Sequence, residues 1–254
     1  MPARSDPASA PAPAVPGRGS PGRWSTWHDR FVVEVRFVDP HVRRRLYAAA
    51  AALVTVGLVS FVGLLVAVLT HTGFEQLDRP VEQWFDAQRS GDATRIMTVL
   101  AVVFGPIGMP ILVLVVLVTW VLVARHLWRP ILLFAGMVTG VALAQVLAPI
   151  VRHPRPPLAQ MLLDPDRTYS FPSGHVLGMS DFFLLLAFLF ASRIGRRWFT
   201  VVAFTIAGAC IVAQVVSRLY LGYHWLTDVS ASVALSLVVV GVVIAVDTRR
   251  TVRV

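Results

Sequence analysis

Apolar residues in this chain gather in six long runs, roughly 46–70, 96–124, 130–151, 176–192, 199–216 and 229–246, and charge is almost absent inside them. Each run approaches or exceeds the about 20 residues that a helix needs to cross a hydrocarbon core. The pattern predicts an all-α fold, a polytopic membrane helical bundle with six transmembrane helices. The second run carries Gly105-Pro106-Ile107-Gly108-Met109-Pro110 in its interior, and neither piece is long enough to span alone. It reads as one kinked or tilted helix whose first turns protrude.

The segments between the runs divide the chain further. Residues 1–28 are rich in Pro, Ala, Ser, Gly and Arg without periodicity, a composition that cannot bury enough surface to order itself, and they read as a flexible tail. Residues 29–45 mix Phe and Val with charge and read either as an interfacial segment or as an irregular linker. Together these form a tail and juxtamembrane region over 1–45, followed by a membrane domain over 46–246 and a short tail over 247–254. The first apolar run starts too late and continues too long for a secretory signal. Between the first two runs, Phe74, Leu77, Val81, Trp84 and Phe85 recur at helical spacing among Glu75, Asp78, Glu82 and Asp86. That predicts a short amphipathic helix serving as a lid or entrance wall, with a solvated connector as the alternative.

Composition narrows the class. Content that is 56% hydrophobic and 15% charged excludes an ordinary soluble globule. All 23 basic residues are Arg, and the net charge is +9. These arginines lie beside apolar spans and form no single basic face with interleaved aromatics, so anionic lipid headgroups are the expected partner and nucleic acid is not. The lone Cys210, inside an apolar run, excludes a disulfide framework or a thiolate metal site.

Orientation follows from the distribution of Arg. With the N-terminus inside, 16 arginines fall in the inner segments and seven in the outer ones, which predicts cytoplasmic termini. The outer segments then hold Arg155 after the third helix, His175 at the start of the fourth, and Arg218 and His224 between the fifth and sixth. Two imidazoles and two guanidiniums at the ends of apolar segments suit phosphate chemistry at a membrane surface.

Each residue has a place in such chemistry. His224 and Asp228 are four apart; a sixth helix beginning near 224 puts both on one face, where the carboxylate accepts the proton of one ring nitrogen and leaves the other free to attack phosphorus. Ser173 and Gly174 let the chain close around phosphate oxygens at a helix N-terminus. Arg155 and Arg218 are suited to bind those oxygens bidentately, and His175 is the natural general acid. Asp181, six residues into the fourth helix, calls for a partner. Arg152 or Arg218 serves if the helix packs toward the mouth, and otherwise the acid is protonated or locally bonded.

Pro154-Arg155-Pro156, Pro172-Ser173-Gly174-His175 and Ser217-Arg218 followed by His224 and Asp228 resemble the three-part signature of the type 2 phosphatidic acid phosphatase superfamily, Lys-x6-Arg-Pro, Pro-Ser-Gly-His and Ser-Arg-x5-His-x3-Asp. The resemblance covers roughly residues 46–246. It implies a metal-independent membrane phosphatase in which His224 becomes a phosphohistidine, Asp228 orients it, His175 is the general acid, and Arg155, Ser173, Gly174 and Arg218 cradle phosphate. One departure matters, because Ala148 stands where the family places Lys. Arg152, one turn further along, is the expected substitute, and His153 can contribute if protonated.

The function expected is hydrolysis of a lipid phosphomonoester or polyprenyl diphosphate at the outer membrane face, without cofactor or metal. Phosphatidic acid and phosphatidylglycerophosphate are further candidate lipids. A lipid phosphotransferase of the same chemistry and a non-catalytic lipid-phosphate binder are the alternatives. The sequence does not set the oligomeric state.

Overall fold

The computed structural model describes residues 36–123 and 126–253, which form eight α-helices, two short 3-10 turns and a two-stranded pairing. The tail expected over 1–28, and the first part of the juxtamembrane segment, lie outside the described residues. Helix α1 (Pro40–Thr70) is followed by a 3-10 turn (Gly73–Leu77) and α2 (Asp78–Ala87), then α3 (Gly91–Val103), α4 (Gly108–Val123) and α5 (Trp128–Val151). A 3-10 turn (Leu158–Gln160) leads to α6 (Gly174–Ile194), α7 (Arg197–Tyr220) and α8 (Leu226–Thr251).

Five of these helices, α1, α5, α6, α7 and α8, are long and apolar enough to cross a membrane. The pair α3 and α4 supplies a sixth crossing if taken together, but it is bent by 53° at the Gly-Pro segment. The expected kink is therefore a break into two helices. The cause is local: Pro106 and Pro110 lack the N–H that a continuous helix requires. The stretch from 71 to 95 is helical in part; Val81 and Phe85 of its apolar face pack inward, but the rest of the pattern is reversed. Asp78 and Glu82 of α2 are buried while Phe74, Leu77 and Trp84 are exposed.

Small residues let the outermost pair of helices approach closely, as expected where lipid removes the usual hydrophobic drive between helices. A Cβ on Gly57 of α1 would lie 2.6 Å from the Ala234 carbonyl of α8, and one on Gly241 of α8 would lie 2.8 Å from the Ala50 carbonyl of α1. Two such contacts, one turn-pair apart on each helix, fix α1 antiparallel along α8. Helix α8 also packs on α6, whose Met179, Phe182, Leu185 and Leu189 form the main apolar core with Leu133 and Met137 of α5 and Val240 and Ile244 of α8.

At one end of the bundle, strands β1 (Arg36–Phe37) and β2 (Val252–Arg253) pair in parallel. Arg36 donates to Asp247 Oδ2 at 2.9 Å and to the Ser192 carbonyl at 2.6 Å, and Trp128 donates to Asp247 Oδ1 at 3.1 Å. Both described chain ends are thus tied together, opposite the end that carries the three motifs. Helix α1 begins at Pro40 and α8 runs to Thr251, so both extend past the apolar runs that announce them.

Gly57→Ala should lower the thermal midpoint in detergent by about 4–8 °C, since a backbone carbonyl cannot move aside cheaply. Gly63→Ala, where an added Cβ meets no heavy atom within 4 Å, should leave it unchanged; equal midpoints for the two variants would contradict the α1–α8 contact.

Candidate active site

The three motifs meet at the end of the bundle opposite the β1–β2 pair, on segments held by backbone-directed bonds. Helix α7 ends at Tyr220, and Gly222, at φ +75°, turns the chain toward α8. That turn is clamped from two sides. Arg89 donates to the Tyr220 carbonyl at 3.3 Å and to the Gln160 carbonyl at 2.7 Å, while the Tyr223 hydroxyl donates to the Asp164 carbonyl at 2.6 Å. The second motif is fixed by α6, whose N-cap is Ser173.

His224 is buried and lies just before α8, which begins at Leu226. The helix thus starts two residues after His224, and the imidazole has a nearer partner beside Asp228. Nδ1–H donates to the Ser170 carbonyl at 2.9 Å, while Asp228 Oδ2 is 3.4 Å away. The outcome for the ring is the same as expected, because the bond leaves Nε2 with its lone pair, 3.2 Å from Arg155 Nη1. Asp228, in the first turn of α8, caps the helix by accepting from the Trp225 N–H at 2.8 Å. Burial pushes the His224 imidazole down to about 4, with Arg218 and Arg155 adding to that effect and Asp228 opposing it, so the ring is neutral at ordinary pH.

Around Nε2 the fold gathers Arg155, His175, Gly174 and Arg218 on the wall of a cavity of about 1190 Å³. Arg155 is held by its neighbours, donating to the Tyr223 carbonyl at 2.7 Å and to Thr168 Oγ1 at 2.9 Å, and pairing with Asp166 at 2.8 Å. Arg218 lies over the Tyr223 ring at 4.5 Å. Its Nε and the hydroxyl of Ser173 are buried without a hydrogen-bond partner among the described residues. Two orphaned donors beside a helix N-terminus are what an anion site looks like before its anion arrives. His175 sits in the first turn of α6 with Nε2 facing Gly105, where an added Cβ would come within 3.4 Å of it.

Arg152 is the one candidate that the fold does not bring to this group. Helix α5 ends at Val151, and Arg152 adopts the left-handed conformation at φ 55°. The one-turn relation to Ala148 is thereby broken. Its exposed side chain folds back, and Nε donates to the Pro149 carbonyl at 2.9 Å. Ala148 itself lines the cavity, one turn from Gln145, so no cation occupies that stretch of wall. Asp181 is likewise not paired with Arg152 or Arg218. It is fully buried against Gly140 of α5, with neither oxygen in a hydrogen bond among the described residues.

Residues outside the expected catalytic and phosphate-binding set also enter the site, and His153 enters it in a different role from the one expected. Ser170 carries no motif, yet its carbonyl fixes the tautomer of His224. Asp166 reaches Arg155, and although burial pushes its carboxyl up, bonds from Thr168 and the charge of Arg155 hold it below the usual range. Asp78, from the acidic segment before α3, accepts from the Thr227 N–H at 2.8 Å and its hydroxyl at 2.6 Å. His153 turns away from the cavity and bonds Asp228 at 2.9 Å instead. Glu75, Asp78 and His153 place one ligand-type atom each within 4.8 Å of one another, a spacing a metal can use. The Asp78 oxygens and His153 Nδ1 are already committed to Thr227 and Asp228.

Comparisons with known proteins bear on the fold and on the stretch that holds the motifs. Residues 129–251 match the model of the PAP2 superfamily, a span that holds all three motifs. Among curated proteins, phosphatidylglycerophosphatase B of Bacillus subtilis (strain 168) is 28% identical over 114 residues, which is 44% of this chain and 55% of that protein. The chain thus spans about half the length of the curated relative it matches. Among solved structures, that of a transmembrane PAP2-type phosphatidylglycerolphosphate phosphatase from Bacillus subtilis superposes with a TM-score of 0.67 at 21% identity, covering 76% of this chain and 96% of the other. The chain thus has the fold of a multi-pass membrane protein, and its residues 129–251 are similar to the PAP2 superfamily.

Proposed function

We propose that this protein hydrolyses a phosphate ester or diphosphate of a membrane lipid, with His224 as the nucleophile. The observation that carries the reading is the convergence of a neutral His224 Nε2, two guanidiniums and the unpartnered donors of Ser173 and Arg218 on one cavity. In the reaction, Nε2 attacks phosphorus in line while Arg155, Arg218 and the N-terminus of α6 neutralise charge on the equatorial oxygens. His175 protonates the leaving oxygen. Water then attacks the phosphohistidine and returns the imidazole.

The lipid character of the substrate is supported by the rest of the cavity. It runs from His175 between α4 and α5 past Met109, Val113 and Leu117, a path of about 12 Å at the helical rise per residue, most of the depth of one hydrocarbon leaflet. Leu114, Phe134, Val138 and Val141 line it and are also exposed on the outside of the bundle, so it opens sideways where a lipid tail can enter. The names of the two similar Bacillus subtilis proteins add support for a lipid phosphate, and phosphatidylglycerophosphate belongs in the test panel with phosphatidic acid and polyprenyl diphosphate. The count of 16 arginines against seven supports placing the site on the outer face and both termini in the cytoplasm. One observation favours a second reading, a lipid-phosphate binder without turnover: the wall at Ala148 carries no cation.

Phosphate release from that panel in detergent with EDTA should fall at least about 10³-fold in His224→Ala; unchanged release would remove the catalytic reading, and no release from wild type with retained lipid-phosphate binding would favour the binder. Arg155→Ala and Arg218→Ala should each weaken binding of inorganic phosphate by roughly 10-fold or more, while Arg152→Ala should not, and a strong effect of Arg152→Ala would contradict its placement. The pH dependence follows from the neutral form of His224 being the active one. With the imidazole pushed down to about 4, kcat/KM should hold as pH falls and be lost only near pH 4; an acid limb at pH 6.5 would contradict it.

A further inference from the structure

Resting on the reading of His224 as the attacking base, we propose that His153 is a positioning residue that acts through Asp228, as a fixed cationic bridge between that carboxylate and the acidic pair Glu75 and Asp78. His153 is 5% exposed, and its Nδ1 lies 2.9 Å from Asp228 Oδ1. The Ser170 hydroxyl is 3.3 Å from the same oxygen, while Oδ2 serves the Trp225 N–H and, at 3.4 Å, His224. A ring nitrogen of the same imidazole also lies within 4.8 Å of carboxylate oxygens of Glu75 and Asp78. Asp78 in turn holds the N–H and hydroxyl of Thr227, the residue before Asp228.

With carboxylates of Asp228, Glu75 and Asp78 all this close to one imidazole, the surroundings favour its protonated form, which donates to Asp228 and is held near the acidic pair by charge alone. The groups facing it from the packed elements are Asp228 of α8, Glu75 of the 3-10 turn, Asp78 of α2 and, bonded to Glu75, His71 at the end of α1. Burial pushes the His153 ring down, but the bond and charge of Asp228, aided by Asp78 and Glu75, outweigh it and raise it. The bridge draws the charge of Asp228 onto Oδ1. That leaves Oδ2 a weaker partner for an imidazolium at His224, so the nucleophile stays neutral, with Nδ1–H on Ser170 and Nε2 toward the cavity. Segment 73–87 thereby acts on the nucleophile without touching it.

The experiment is NMR of ¹⁵N-histidine-labelled full-length protein in micelles across pH, on wild type, His153→Gln and His153→Arg, paired with the pH profile of kcat/KM. Wild type should keep both His153 nitrogens protonated at pH 7. His153→Gln should raise the His224 midpoint, and the acid limb with it, by roughly one pH unit, and His153→Arg should restore both. A merely structural role would lower kcat and leave the midpoint where it was, and that result, or a neutral His153 at pH 7, overturns the proposal. Should His153→Gln fail to fold, Asp78→Asn serves instead, and an unchanged His153 midpoint in it overturns the bridge. Adding Zn²⁺ to wild type should leave the His153 resonances in place; their displacement at micromolar Zn²⁺ would make the cluster a metal site and remove the bridge. Because the NMR midpoints need no turnover, absence of phosphate release would refute the hydrolase reading while the bridge is still decided.

Discussion

A carboxylate with no exposure at the head of a membrane helix is costly unless its oxygens are spoken for, and Asp228 meets that condition through the parts of the protein that make the site. It caps α8 through Trp225, bonds His153 from the segment after α5, and lies beside His224 and the Ser170 hydroxyl. Removing any one of these leaves buried charge without compensation. The same set of bonds therefore holds the first and third motifs to each other, and α6 joins them through Ser232, whose hydroxyl donates to the Ser173 carbonyl at 3.0 Å. The positions of the reacting groups are consequences of satisfying one buried anion.

The second constraint is the broken span. A straight helix through residues 91–123 would lie along α5 and fill the space that the cavity occupies. The bend of 53° at the Gly-Pro segment opens a wall there and brings Gly105 against His175. Close packing elsewhere, at Gly57 on Ala234 and Gly241 on Ala50, keeps α8 rigid on the opposite side. The bundle is thus tight along α1 and α8 and open between α4 and α5.

Much of this was legible in the residues. Apolar run length located the five long helices to within a few positions, and the Gly-Pro segment marked the break, although periodicity alone cannot tell a bend from a full interruption. The motif spacing picked out His224, His175, Asp228, Arg155, Ser173, Gly174 and Arg218, which the fold gathers at one end. It failed for Arg152 because a same-face argument holds only inside a helix, and α5 stops one residue earlier. Ser170 acts through its carbonyl, which no side-chain motif encodes. Asp78 and His153 lie far apart in sequence and become neighbours only when α2 packs against α7 and α8, so spacing along the chain holds no trace of their meeting.

The account turns on which atom of which residue takes the phosphoryl group. Mixing the protein with a lipid phosphate, quenching in alkali within the first turnover and locating the label by peptide mass spectrometry and ³¹P NMR tests this most directly. The tautomer fixed by Ser170 predicts a single phosphohistidine at His224, bonded through Nε2. A phosphoryl group on Nδ1 or on another residue, or phosphate release with no phosphohistidine trapped, would contradict it.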